Sequence, residues 1–213
     1  NEDGISISGT PGKRNSISYL LNKDSTILSS SRTLTETMSP YIIYGATQIE
    51  ADATLTIEPG VIIKFTEGAS LLVEGALVAD GTADHNILFT SLHDDMGGDT
   101  NGTTTIPAAG DWLGIRITAS GSAFDHAEFR YGGKDGLGYQ GFVANLRIQE
   151  TDIEITNSVF AHAGVNGVRI IGSEAELDGN IFEDNTHAAV YLEEGEVTFT
   201  HNTSRRKRYG LMA

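Results

Sequence analysis

Cysteine is absent from the chain, which excludes both a disulfide framework and thiolate metal sites. Long apolar runs are absent too. Nothing approaches about 18 consecutive apolar residues, so no membrane span is expected. Basic residues are scarce: 14 Lys and Arg stand against 29 Asp and Glu, a formal net charge of −15. A surface that acidic repels nucleic acid and anionic lipid and argues against both as partners. It suits a secreted or halotolerant protein, or one that binds cations. No long segment carries an apolar stripe of helical period, so helix should be scarce. The histidines form no i, i+4 pair, which speaks against a zinc site. Neither a Gly-rich phosphate loop nor a Gly-x-Ser-x-Gly elbow occurs.

What is present is a repeat. The segments "TDIEITNSVF" from Thr151, "SEAELDGNIF" from Ser173 and "GEVTFTHNTS" from Gly195 follow one another at an offset of 22 residues. Ile153, Ala175 and Val197 form one apolar column, and Ile155, Leu177 and Phe199 another. Leu146, Val168 and Val190 form a third, beside Ile148, Ile170 and Leu192, and Phe160, Phe182 and Ser204 a further one. An offset of 31 adds Ile115, Ile117, Phe124 and Phe129 to these columns. Upstream, Leu55 should meet Leu77, and Phe65 should meet Phe89 at an offset of 24.

Within each repeat, apolar and polar residues alternate over three to five positions, the period of a strand with one buried face. Gly, Asn and Asp separate the strands. Three short strands per repeat describe one coil of a parallel β-solenoid, which buries its apolar face only by stacking on the next coil. The expected fold is all-β: a right-handed parallel β-helix of about six coils of roughly 22 residues, counted from Tyr41. Residues 1–40 are expected to be an N-terminal cap or linker, and 41–213 the solenoid. Its last coil is incomplete, so further chain or another molecule should cover that end.

The stretch "ATLTIEPGVIIKFTEGASLLVEGALVADGTADHNILFTS" resembles the opening coils of bacterial right-handed parallel β-helix proteins of the pectate-lyase-like kind. "GDWLGIRI" and "NSVFAHAGVNGVRI" resemble their later coils. The resemblance covers roughly Tyr41 onward. It implies a scaffold shared by polysaccharide lyases and hydrolases, adhesins and surface repeat proteins, and so a secreted or cell-surface setting; it does not choose among those functions.

Coil register also isolates two insertions at one turn. The step from the phenylalanine column to the next outward residue is 9 residues for Phe160 to Arg169 and for Phe182 to Tyr191. It is 18 for Phe129 to Arg147 and 27 for Phe89 to Arg116. Side loops near 91–111 and 131–143 therefore sprout from one edge, where solenoids often carry their binding face. The same step from Ser204 places Ala213 in the outward column and makes "SRRKR" a turn of the next coil.

The first loop gathers Asp94, Asp95, Asp99, Asn101, Thr103 and Asp111, with glycines that let the backbone turn. Oxygen ligands at alternate positions are what Ca²⁺ requires, and neighbouring carboxylates repel one another without a cation. These six residues are the candidate Ca²⁺ ligands; the alternative is a solvated loop held by its own hydrogen bonds. Trp112 is expected to anchor the loop's return. Arg116, Arg147, Arg169 and Tyr191 share one outward column, expected beside the loop, and with Tyr139 they are the candidate contacts for an acidic polysaccharide. Glu128, Glu150 and Asp152 are the candidate local anions for that column. Ser158, Asn180 and Asn202 form a structural turn column.

Three functions fit. The first is a non-catalytic extracellular module for adhesion or glycan contact, with a Ca²⁺-ordered loop. The second is a lyase or hydrolase acting on acidic glycans, supported by the resemblance and the arginine column. The third is a structural spacer in a larger exported protein.

Overall fold

A computed structural model describes residues 26–134, 143–206 and 208–213, and the backbone of strands Gly4–Ser8 and Arg14–Tyr19. The chain winds as an all-β parallel solenoid of about 8 turns. Each coil gives one strand to each of three stacks. In one coil these are Tyr41–Ile43 in the first stack, Ala46–Ile49 in the second and Thr54–Ile57 in the third. The next coil opens with Ile62–Phe65, paired in parallel on Tyr41–Ile43. The second and third stacks merge where two long strands, Asn166–Asp178 and Ala188–Thr200, run through the corner between them. The one helical element among the described residues is the 3₁₀ turn Glu36–Met38.

The coil count of six is corrected upward because winding begins before Tyr41. Ile27–Leu28 pairs with Ala46–Ile49, and Arg32–Leu34 with Thr54–Ile57. The apolar residues here are sparse, yet Leu28 and Leu34 are both buried, which suffices for strands of two and three residues. Ahead of them, Gly4–Ser8 and Arg14–Tyr19 pair antiparallel, and the second of these pairs in parallel with Tyr41–Ile43.

The apolar columns pair as their spacing requires. Ile115 faces Leu146, which faces Val168 and then Val190. Phe124 faces Ile155, and Leu55 faces Leu77. Strands about 4.8 Å apart bring identical rings into contact. Phe89, Phe129, Phe160 and Phe182 stack at centroid distances of 4.7, 4.8 and 5.3 Å. Ser204 ends that column, and Phe199 of the third stack leans on Phe182 at 5.9 Å.

Two registers differ from expectation. Phe89 pairs with Ile63, and Phe65 with Ser91, so Phe65 does not meet Phe89. Phe65 instead stacks on Trp112 at 3.9 Å and 7°. At the other end Tyr191 pairs with Met212, not Ala213, because the last turn is one residue shorter. The basic run is only in part a turn: Ser204 and Arg205 belong to the strand Thr203–Arg205, and Arg206 and Arg208 lie between it and Tyr209–Met212.

The corners are fixed by side chains that bond along the stack. Asn180 is fully buried; its Oδ1 accepts from Ser158 N at 2.9 Å and its Nδ2 donates to Ile155 O at 2.8 Å. Asn202 repeats both bonds one coil later, to Asn180 N and Leu177 O. Asp125 sits at another corner and accepts from Thr156 Oγ1 at 2.6 Å and Asn157 Nδ2 at 2.8 Å, with His126 Nδ1 at 2.9 Å. Burial pushes its carboxyl up, but these hydrogen bonds together outweigh burial and hold it below its ordinary value.

Two outcomes follow. Asn180→Ala leaves a buried N–H and a buried carbonyl without partners and should cost about 2 kcal/mol, lowering the melting temperature by about 4–8 °C in calorimetry. The lowered Asp125 value means that the unfolded chain binds the proton more readily. Its contribution to stability is full above the ordinary value of 3.8 and is lost as pH falls through the folded value. Wild type should therefore lose more stability than Asp125→Asn when both are melted across that acid range.

Candidate functional site

Both insertions occupy the turn between the first and second stacks. That turn takes only residues 66–69 in one coil and 162–165 in another, but 92–113 and 131–143 in the two insertion coils. The two insertions touch. Gly110 N donates to Tyr131 O, Gly133 N to Leu113 O and Lys134 N to Trp112 O. Trp112 is fully buried and anchors the return of the first loop, with its ring on Phe65 and Nε1 donating to Arg130 O at 2.8 Å.

The first loop folds back over the outer face of the first stack. Leu92 and Tyr44 cover Ile42, and Gly97 lies so close to Ile62 that an added Cβ would sit 2.2 Å from its Cδ1. At the centre of this cover is Lys64. Its neighbours Ile63 and Phe65 point into the core, so alternation sends the ammonium outward, under the loop. Lys64 is fully buried and donates to Asp94 O at 2.7 Å and Gly98 O at 2.8 Å. Burial pushes its pKa down, and the charges of Asp94, Asp95 and Asp99 push back up.

Four of the candidate Ca²⁺ ligands, Asp94, Asp99, Asn101 and Asp111, accept hydrogen bonds from the loop and the strand that leads into it. Asp94 accepts from Thr90 Oγ1 at 2.6 Å and Met96 N at 3.0 Å. Asp99 Oδ1 accepts from Asn101 N and Gly102 N. Asn101 Oδ1 accepts from Thr103 N and Oγ1, and its Nδ2 donates to Leu92 O. Asp111 Oδ2 accepts from Ser91 Oγ at 2.7 Å and Ala108 N at 3.0 Å. Among the described residues no group of three or more Asp, Glu or His converges where it could hold a metal ion. The two carbonyls that turn inward, Asp94 O and Gly98 O, are taken by the Lys64 ammonium.

The arginine column forms, on the second stack. Arg116 pairs with Arg147, Arg147 with Arg169, and Arg169 with Tyr191. All four side chains are half-buried. Gln149 Oε1 bridges two rungs, accepting from Arg116 Nη2 at 2.8 Å and Arg147 Nη2 at 2.9 Å. Glu193 accepts from Arg169 Nη2 at 2.5 Å, and the Arg169 guanidinium lies 5.6 Å from the Tyr191 ring centre. Burial first, then the like charges of Arg116 and Arg169, push the pKa of Arg147 down from its ordinary value to about 10. Protonated arginines held this close repel one another, and an anion would relieve that repulsion.

Three expectations about this column need correction. The acidic loop covers the first stack while the arginines line the second, so loop and ladder do not build one site. The neutralising groups are not Glu128, Glu150 and Asp152. Glu128 pairs with Arg130 and accepts from Asn86 Nδ2, Glu150 accepts from Gln149 Nε2, and Asp152 accepts from Glu174 N. Gln149 and Glu193 hold the arginines instead; they lie in one register column, two positions on from Arg147 and Tyr191. Tyr139 lies outside the described residues.

The third stack carries opposite charge. Glu174 pairs with Glu196, and Glu154 with Glu176. With Asp152 they border a groove of about 550 Å³.

Lys64, Gln149 and Glu193 were missed as site residues. Lys64 has a legible signal, a lysine at an outward position of "VIIKF" between apolar neighbours; the other two are ordinary polar residues until the coil is closed.

The class so defined is the parallel β-helix, here with both insertions at one turn and a charged column along one stack. The model of the pectate-lyase like beta helix domain family matches residues 26–200, and the chain belongs to that family. No curated protein and no solved structure matches the chain. The family's fold fits a polysaccharide-related role.

If Lys64 is the cation of the loop, Lys64→Met should lower stability by about 3 kcal/mol and the melting temperature by about 6–12 °C, because a buried and a half-buried carbonyl lose their donor. A chelator should leave the wild-type melting temperature unchanged; a fall on chelation would mean that a metal orders the loop.

Proposed function

We propose that this chain is a non-catalytic, extracellular β-helix module for glycan contact or adhesion that holds an acidic polysaccharide along Arg116, Arg147 and Arg169, with Tyr191 at the end of the column. The observation that carries this reading is the in-register arginine column on a chain of net charge −15. Rungs repeat every ~4.8 Å along the solenoid axis, a spacing suited to a linear polymer with one acid per unit. The planar forks suit carboxylate or sulfate. In the same reading the Lys64 ammonium takes the part in the acidic loop that the sequence suggests for Ca²⁺.

A second reading, an acidic-glycan lyase, is favoured by one observation. A pKa of about 10 makes Arg147 a better proton acceptor than an ordinary arginine. The two readings separate in one experiment. Uronate oligosaccharides are titrated against the protein by calorimetry at low and high salt, and the same mixtures are followed for ultraviolet absorbance of unsaturated product. Binding that weakens with salt, falls at least about tenfold in Arg147→Gln and yields no product supports the module. Product formation lost in Arg147→Gln supports the lyase. No binding and no product overturns both.

A further inference from the structure

Coil stacking writes a second charged ladder, on the third stack. Glu154 pairs with Glu176, and two positions earlier on the same face Glu174 pairs with Glu196. Asp152 stands beside them, its Oδ1 accepting from Glu174 N at 3.1 Å. All five residues are exposed and border the groove of about 550 Å³. Among the described residues no Lys, Arg or His lines that groove. Carboxylates repeated every ~4.8 Å repel one another, so this face gains from any cation that lies along it.

The spacing selects among sources of positive charge. Among the described residues no three carboxylates converge where a metal ion could sit. Cations along one face of an extended peptide recur every ~6.8 Å, twice the rise per residue, and fall out of step with the ladder after one rung. The second stack of this same chain recurs at the ladder's own ~4.8 Å. Arg116, Arg147 and Arg169 occupy three consecutive coils, and so do Asp152 with Glu154, Glu174 with Glu176, and Glu196. The corner inside the strand Asn166–Asp178 separates Arg169 from Glu174. The two ladders therefore lie on different faces and meet only between molecules.

We infer that this chain associates side by side with a second copy of itself, the arginine face of one copy laid on the carboxylate face of the next with the solenoid axes aligned. The contact joins two different patches, so a pair leaves one patch of each kind free, and association continues into rows unless the rotation closes a ring. Three rungs of charge make a small contact that is weak and screened by salt. The inference goes beyond the glycan reading. It gives the carboxylate face a partner, and it sets self-association and glycan binding in competition for the same arginines.

Sedimentation equilibrium of the whole chain tests this. The mean mass should rise with concentration at low salt and return to that of the monomer at about 1 M salt, where the screening length is about 3 Å. Arg147→Glu and Glu176→Arg should each weaken association at least about tenfold, because each sets like charge against like. Mixing the two variants should restore complexes of two copies and no larger, since the first keeps its carboxylate face and the second its arginines. Glu176 is exposed, so Glu176→Arg serves alone if the variant at half-buried Arg147 folds poorly. A wild type that stays monomeric at low salt, association that survives both reversals, or a mixture of the folded variants that fails to pair would overturn the inference. Each of these would leave the glycan reading standing, because that reading requires only the arginine column.

Discussion

Parallel stacking at a fixed spacing of ~4.8 Å puts each residue against its counterpart in the next coil. Everything else in this molecule follows from what happens when like is placed on like. For phenylalanine the result is favourable, and four rings form a continuous file through the core. For asparagine it is also favourable, because an amide is donor and acceptor at once and can bond to backbone groups of neighbouring coils. For charged residues the same repetition is costly. The molecule contains both kinds of costly ladder, arginine on the second stack and carboxylate on the third, and each is exposed enough to be compensated from outside.

The corners show how the stacking tolerates local cost. Non-glycine residues take positive φ at matching places in successive coils. Tyr131, His162, Asp184 and Arg206 form one such set, at φ of 64, 52, 53 and 44°. Each such residue costs about 1 kcal/mol or more outside glycine. The set is held by contacts along the stack: the Tyr131 ring lies on His162 at 5.1 Å, and Arg206 Nε reaches Asp184 at 2.9 Å. The corner geometry is thus a property of the column and not of any one turn.

Much of this was legible in the sequence, because a solenoid writes its contacts as a period. Offsets of 22 and 31 paired Phe129 with Phe160 and Arg147 with Arg169, and the excess spacing located both insertions. The period fails beside an insertion. Phe65 was assigned to Phe89, whereas its ring is satisfied by Trp112, brought back by the loop. A period also says which residues share a column without saying where a loop folds. The acidic loop and the arginines leave the same turn, so they looked like neighbours; the loop instead lies across the first stack, drawn by Lys64 and the apolar surface of Ile42 and Ile62. Gln149 and Glu193 became identifiable only as partners in space.

The two groups of basic residues make opposite uses of the same charge. Lys64 is buried, and the chain supplies what it needs: two carbonyls at hydrogen-bond distance and three aspartates nearby. Removing water from that ammonium is tolerable because its compensation is built in, and the result is a fixed loop. The arginine column remains half in water, and a neutral amide, Gln149, serves two of its rungs. Burial and then the repulsion of its neighbours depress Arg147 to about 10, which still leaves it protonated at neutral pH. One carboxylate, Glu193, meets Arg169, and five others line the groove of the next stack. A polymer lying along the axis, the partner proposed for this column, would meet its guanidiniums in register.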